Sequence, residues 1–292
     1  MAVRGMDRWT ALAVLLLTLT AGVAFGRGEA EQSRWNEVQE RGSLIVATSG
    51  TLFPASYYGE DNERLTGFDV EVARAVAADL GLEVDFRIMA FDAMLASVST
   101  GQVDMAVNDI SRTADREERV RFSTPYKYSW TSLMVREDDL SGIKTLGDID
   151  GKIHAGEATT TYSRIMRFYG AETLTYDNAT NDQYLRDLEI GRSDVIMNDY
   201  YLQRLAMQFM PQFEVTLHPD LRFWIEPAGT HVVMGKESLE LQAAVNTALE
   251  ALRDSGELAE ISRQFYNGDD VSRRPDLDAE GFIRINIDEL PE

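Results

Sequence analysis

A chain of 292 residues, 44 % of them hydrophobic, has apolar material for a sizeable core, which argues against a disordered polymer. Its 28 basic and 49 acidic residues give a formal charge of −21, and a surface of that sign repels nucleic acid and anionic lipid. With no cysteine the chain has no disulfide, no thiol nucleophile and no lipid-modified cysteine anchor.

The first residues read as a leader rather than as part of the fold. Arg4 and Arg8 make a basic start, and Ala11 to Phe25 is an apolar run too short for a comfortable membrane span. Cleavage after Gly26 or Ala30 suits a secretory signal peptide, here residues 1–30; the alternative is an uncleaved anchor. No later stretch is apolar enough to cross a bilayer, so the expected product is soluble, exported and periplasmic, and not a lipoprotein.

Residues 34–41 have helical composition and lead to a strand, Leu44 to Thr48, then a polar loop, Ser49 to Pro54. From Gly67 onward, Phe68, Val72, Val76 and Leu80 recur every fourth residue, the stripe of a buried helix face. Asp69 and Glu71 stand in its first turn, where the helix dipole favours acids, and Gly81 ends it. Leu82 to Ile88 reads as a strand, and Asp92 caps a helix that runs to Gly101.

The stretch Gly101 to Arg116 is central. Val103 to Val107 is a short buried strand, Asn108 to Thr113 a polar loop, and Ala114 to Val120 a helix capped by Thr113. In an open α/β sheet, ligands sit beyond the carboxyl ends of strands, where this loop stands. The pattern G-x-x-D-x-x-x-N-D over Gly101–Asp109 recurs over Gly191–Asp199, 90 residues later. Two copies, each after an amphipathic helix and each ending a strand in Asn-Asp, point to two related lobes; ordinary helix-to-strand turn chemistry is the plainer alternative.

Beyond Tyr126 the chain crosses to a second lobe through a strand, Trp130 to Arg136. A short strand at Ile153 precedes Ala158-Thr159-Thr160-Thr161 and a helix, Tyr162 to Tyr169. Helix N-termini expose backbone N–H groups to anions, so Thr159 and Thr160 are candidates for a ligand carboxylate, or simply caps. Strands at Thr173–Tyr176, Val195–Met197 and Phe213–Leu217 alternate with a helix over Asn181–Glu189. The chain returns around Ile225 to Gly229, and two amphipathic helices, Leu239–Leu252 and Leu258–Phe265, follow. The expected division is 31–128 with 229–268 as lobe one, 129–228 as lobe two, and 269–292 as an acidic solvated tail. Within that tail Phe282 to Ile287 could dock as an extra strand, at a place the sequence does not give.

Gly67-Phe-Asp-Val-Glu-Val-Ala-Arg-Ala-Val-Ala-Ala-Asp-Leu80 resembles the signature of the bacterial extracellular solute-binding proteins, family 3, the polar amino-acid receptors of ABC importers. The resemblance continues through Phe91–Leu95, Asp109–Arg116, Phe122-Ser-Thr-Pro-Tyr126 and Gly191–Asp199; the stretches around Met94–Ser97 and Phe122–Ser129 are similar to cystine-type receptors. It implies an α/β periplasmic-binding-protein fold of type II, two sheet-and-helix lobes on a two-segment hinge. It also implies a monomer without metal or cofactor, and a membrane permease as partner.

A zwitterion needs a cation and an anion that converge, and a guanidinium suits a carboxylate because it forms two parallel hydrogen bonds. The resemblance puts Arg116 in that role with Ser111, Asp199 from the other lobe on the α-ammonium, the Asp109 carbonyl beside it, and Phe91 as a cleft aromatic. Leu52 stands where the family has an aromatic, with Phe53 adjacent. Ser49 stands where basic-amino-acid receptors carry an acid, and Ala158 replaces a glycine. The rival class is a periplasmic cyclohexadienyl-dehydratase-like enzyme on the same fold, for which Glu157, Asp109 or Glu226 is a candidate acid. A hydrolase is disfavoured: His154, His218 and His231 lack triad or metal spacing and read as ordinary surface or strand residues.

Overall fold

The structure, a computed structural model, describes residues 35–59, 63–176, 178–275 and 281–291; the expected leader lies outside them. In chain order the strands are β1 (Ser43–Thr48), β2 (Thr51–Leu52), β3 (Ser56–Tyr58), β4 (Leu65–Thr66), β5 (Glu83–Ile88), β6 (Met105–Ala106), β7 (Val120–Phe122), β8 (Thr131–Arg136), β9 (Ile153–Gly156), β10 (Glu172–Thr175), β11 (Ile196–Asp199), β12 (Val215–Glu226), β13 (Val233–Gly235) and β14 (Phe282–Asn286). The helices are α1 (Phe68–Asp79), α2 (Phe91–Ser99), α3 (Ala114–Glu117), α4 (Thr161–Phe168), α5 (Asn181–Glu189), α6 (Tyr200–Phe209), α7 (Leu239–Ser255) and α8 (Glu257–Phe265). Residues 35–41 are also helical.

Lobe one is built on a sheet of order β5-β1-β6-β13-β7, in which β1 runs parallel to β5 and β6, and β13 runs antiparallel to β6 and β7. The fourfold apolar spacing in α1 becomes a buried face: Phe68, Val72 and Val76 pack with Leu44, Val46 and Met105. Each such side chain contributes about 1.5–3 kcal/mol of burial. On the opposite face α2 places Met94 and Val98 against Ala47, Ala106 and Val233. The helix expected over 114–120 stops at Glu117, because Val120 and Phe122 alternate inward as β7 beside β13. Sheet pairing overrides helical composition there. A small three-stranded sheet, β2-β3-β4, carries the loop after β1; it was not expected.

Lobe two is built on β11-β8-β12-β14, extended by a parallel bridge between Val195 and His154 to β9 and then β10. Alternation along β8 divides its core in two. Leu133 and Val135 face α4 residues Ile165 and Met166, whereas Met134 faces Leu185 of α5 and Ala206 of α6. The three histidines are not surface residues. His154, His218 and His231 are buried, and accept or donate hydrogen bonds to Ser163 Oγ, the Ile143 carbonyl and the Ser123 carbonyl.

The repeat has the same mechanical job in both lobes. Gly101 and Gly191 turn the chain at φ of 72° and 73°, a region open to glycine. Three residues on, the Asp104 carboxylate accepts the Ile45 N–H of β1 at 2.8 Å, and that of Asp194 accepts the Ile153 N–H of β9 at 3.0 Å. Each acid clamps the neighbouring strand and is itself held by an arginine, Arg41 in one lobe and Arg136 in the other. Asn-Asp then emerges at both strand ends.

Two crossing segments join the lobes and bond to each other: Tyr126 N–H donates to the Thr230 carbonyl at 3.0 Å, and Thr230 N–H to the Lys127 carbonyl at 2.9 Å. Described parts of the segment after α8 depart from the expected solvated tail. Val271 and Ser272 are buried, and the Val271 carbonyl accepts Tyr128 N–H beside the hinge. β14 pairs parallel to β12 from Arg222–Phe282 to Glu226–Asn286, and Ile285 and Ile287 complete the lobe-two core. Replacing Ile285 by Ala is therefore expected to cost about 2–4 kcal/mol in chemical denaturation, the range for truncating a buried isoleucine.

Candidate functional site

A cavity of about 110 Å³ lies between the lobes. Lobe one contributes Ser49, Thr51, Leu52, Phe91, Asn108, Asp109, Ser111 and Arg116; lobe two contributes Glu157, Thr160, Tyr162 and Asn198 among others. The lobes meet along its lips. Thr51 Oγ1 donates to Asn178 Oδ1 at 2.9 Å, Arg164 pairs with Asp115 at 2.7 Å, and the Phe53 ring meets Phe209 at 5.0 Å between centroids.

Arg116 ends the first turn after the binding loop. Its Nη1 donates to the Ser111 carbonyl at 2.7 Å, its Nη2 to the Thr159 carbonyl of lobe two at 2.9 Å, and its guanidinium lies over the Phe91 ring, 5.4 Å from the centroid. Burial pulls its pKa down to about 10, against the charge of Asp92, so it stays cationic. Phe91 therefore forms the floor under the cation.

At the hinge end, Asp109 and Asp199 face one ammonium. Lys127 Nζ lies 2.8 Å from Asp109 Oδ1 and 2.7 Å from Asp199 Oδ2, and the lysine side chain is wholly buried. Burial alone would lower the Lys127 pKa; the two carboxylates outweigh it and hold the lysine well above its usual value. Asp109 also accepts the Thr230 hydroxyl, adopts φ of 52°, and its N–H donates to Asp69 Oδ2 at 2.6 Å. Asp199 is the N-cap of α6 and accepts Leu202 N–H at 3.0 Å. It lines not the main cavity but a second one of about 40 Å³, whose walls include Asp109, Ser111, Thr131, Tyr162 and Thr230. Asp109, Ser111 and Tyr162 wall both cavities.

Of the residues expected at the site, Arg116, Ser111, Asp109, Thr160, Phe91 and Leu52 line the main cavity. Asp199 stands behind it, already paired. Phe53 turns away and packs on Tyr57 and Phe209, as adjacent side chains of an extended loop must. Thr159 holds a lip: its hydroxyl bonds Asp92 and its carbonyl accepts Arg116. Thr160 caps α4 and receives Ser163 N–H at 3.2 Å, so capping already engages its hydroxyl. The sequence reading missed Lys127; the only cue was a lysine directly after an aromatic in the Phe-Ser-Thr-Pro-Tyr run. Of the candidate acids, Glu226 lies outside the cavity lining and is tied to Trp224 Nε1, Ala228 N–H and Arg274.

Two measurements check this electrostatic arrangement. Lys127→Met leaves two buried carboxylates without their cation and is expected to cost about 3–5 kcal/mol in denaturant unfolding. Asp69, raised by burial and by the Asp109 charge to about 7, holds a proton that the unfolded chain releases near its ordinary pKa. Its contribution to stability is complete below about pH 4 and is lost as pH rises through about 7. His154 and His231, which burial lowers to about 4, act in the opposite sense. The test is therefore the difference between wild type and Asp69→Asn, whose stability should gain on wild type steadily from pH 4 to 7.

The family model of the bacterial extracellular solute-binding proteins, family 3, matches residues 44–268. The chain is 48 % identical over 266 residues to the probable ABC transporter extracellular-binding protein YckB of Bacillus subtilis, covering 90 % of this chain and 92 % of that one. The crystal structure of YckB aligns with a TM-score of 0.67 over 86 % of this chain and 98 % of that one. The chain is 31 % identical to the L-cystine-binding protein TcyA of the same organism, over 89 % of this chain and 97 % of that one. An amino-acid-binding protein of Streptococcus pneumoniae, AbpA, solved with L-arginine, is 26 % identical with a TM-score of 0.71, over 82 % of this chain and 100 % of that one. A family model spanning most of the chain, on a two-lobed fold with a cleft between the lobes, is decisive: this chain belongs to the bacterial extracellular solute-binding proteins, family 3.

Proposed function

We propose that this protein is an extracytoplasmic receptor that captures an amino acid between its lobes and delivers it to the membrane permease of an ABC importer. The observation that carries the reading is the distribution of charge along one interlobe cleft. A guanidinium stands in it at Arg116, and a carboxylate surplus gathers at the hinge. Asp109 and Asp199 share one Lys127, so an arriving α-ammonium finds negative charge only partly neutralised. Arg116, with Ser111, receives the ligand carboxylate. Asp199 and Asp109 receive the ammonium through the small polar cavity between them, while Phe91 and Leu52 contact the rest of the solute.

The ligand is read as a polar amino acid. The names of TcyA and its L-cystine-binding counterpart in Escherichia coli support cystine as a candidate. The protein acts as a periplasmic monomer, and among the described residues no helix is long and apolar enough to cross a membrane. A binding rather than catalytic role fits the same geometry: in the cleft, Asp109 is committed to Lys127 and Thr230 rather than poised as an acid.

Calorimetry tests the assignment. Arg116→Ala should lower amino-acid affinity at least a hundredfold with thermal stability close to wild type, because the residue is half-buried at a lip and not in a core. Asp199→Asn should lower affinity by a comparable factor. Normal binding by Arg116→Ala would refute the carboxylate assignment.

A further inference from the structure

The cavity that begins at Arg116 does not end between the lobes. Its wall includes Met134 of β8, Leu185 of α5, Ile196 of β11 and Ala206 of α6. All four are buried members of one apolar cluster inside lobe two, between the sheet and helices α5 and α6. The space therefore passes from the charged cleft into a hydrophobic core. Voids in cores are destabilising, because their lining atoms lose packing partners. Gln203 and His154, two polar side chains in this wall, are already engaged. Gln203 Nε2 donates to the Ile196 carbonyl at 2.8 Å, its Oε1 accepts the Ser132 hydroxyl, and His154 Nε2 is bonded to Ser163 Oγ at 3.2 Å.

We infer that this extension is a side-chain subsite for an unbranched, uncharged thioether or alkyl chain, entering lobe two between α5 and α6. The inference rests on the amino-acid reading of the cleft and replaces its polar, cystine-type side chain with an apolar one. With the α-carboxylate at Arg116, an unbranched chain threads past Tyr162 toward Met134 and Ala206. The methionine thioether of Met134 and the small Ala206 line a deformable slot for the end of such a chain. A guanidinium or ammonium driven to the same depth would lose its water among Met134, Ile196 and Ala206, which is costly for a charge. Cystine would have to keep its second zwitterionic head outside.

The test is a calorimetric ladder on the wild-type chain: L-alanine, L-norvaline, L-norleucine, L-methionine, L-cystine and L-arginine. Affinity should rise about fourfold for each added methylene, with methionine close to norleucine and with arginine and cystine weaker than both. The variant Ala206→Leu fills the slot. It should lower norleucine affinity at least tenfold while leaving alanine within twofold, with a thermal midpoint no lower than wild type. A flat ladder, tighter arginine or cystine binding, or equal losses for alanine and norleucine would overturn the subsite alone. Failure of every amino acid to bind would overturn the receptor reading itself. The ladder needs no variant, so a poorly folding Ala206→Leu leaves it decisive.

Discussion

A single buried ammonium ties the molecule together. Lys127 sits on one crossing segment and takes one carboxylate from each side, Asp109 from the loop after β6 and Asp199 from the end of β11. Removing a charge from water costs several kcal/mol, and only close, well-formed partners return it. Three carboxyl groups, those of Asp69, Asp109 and Asp199, surround this one cation, with Tyr126 and Tyr266 sealing the cluster from solvent. The arrangement needs both lobes at once. It therefore couples the local chemistry of a hinge to the global position of two sheets.

The same constraint explains why a zwitterion suits the cleft. Proton retention on Asp69 and the Lys127 ammonium relieve the cluster in part, and a second ammonium would relieve it further. At the other end Arg116 already bridges the lobes through two carbonyls, Ser111 and Thr159, which are weaker acceptors than a carboxylate. On the proposed reading, a ligand carrying both charges would improve both ends together, and its preference for closed lobes over open ones would shift a hinge equilibrium that a permease could read.

Much of the fold was legible because local chemistry and tertiary use agree. The stripe Phe68–Val72–Val76 is buried, and the two Gly-to-Asp repeats end equivalent strands in two lobes. Their aspartates proved to be clamps on a neighbouring strand, a role that no spacing reveals. Arg116, Asp109, Ser111 and Phe91 were legible through ordered motifs and do share the cleft. Lys127 was not. A lone lysine among aromatics carries no periodic signature, and its two partners lie 18 and 72 residues away. β14 was legible as an extra strand but its place was not, because its partner β12 lies upstream across two helices and parallel pairing at that separation has no local cue. Asp199 was read as the anion for a ligand α-ammonium; the cation 2.7 Å from it, Lys127, belongs to the chain itself.

A crystal structure of the protein grown with a bound amino acid tests the central claim most directly. The account predicts the ligand carboxylate on the Arg116 guanidinium and its ammonium within hydrogen-bond distance of Asp109 or Asp199, with Lys127 still between them. A ligand seated elsewhere, or one whose ammonium touches neither carboxylate, would contradict it.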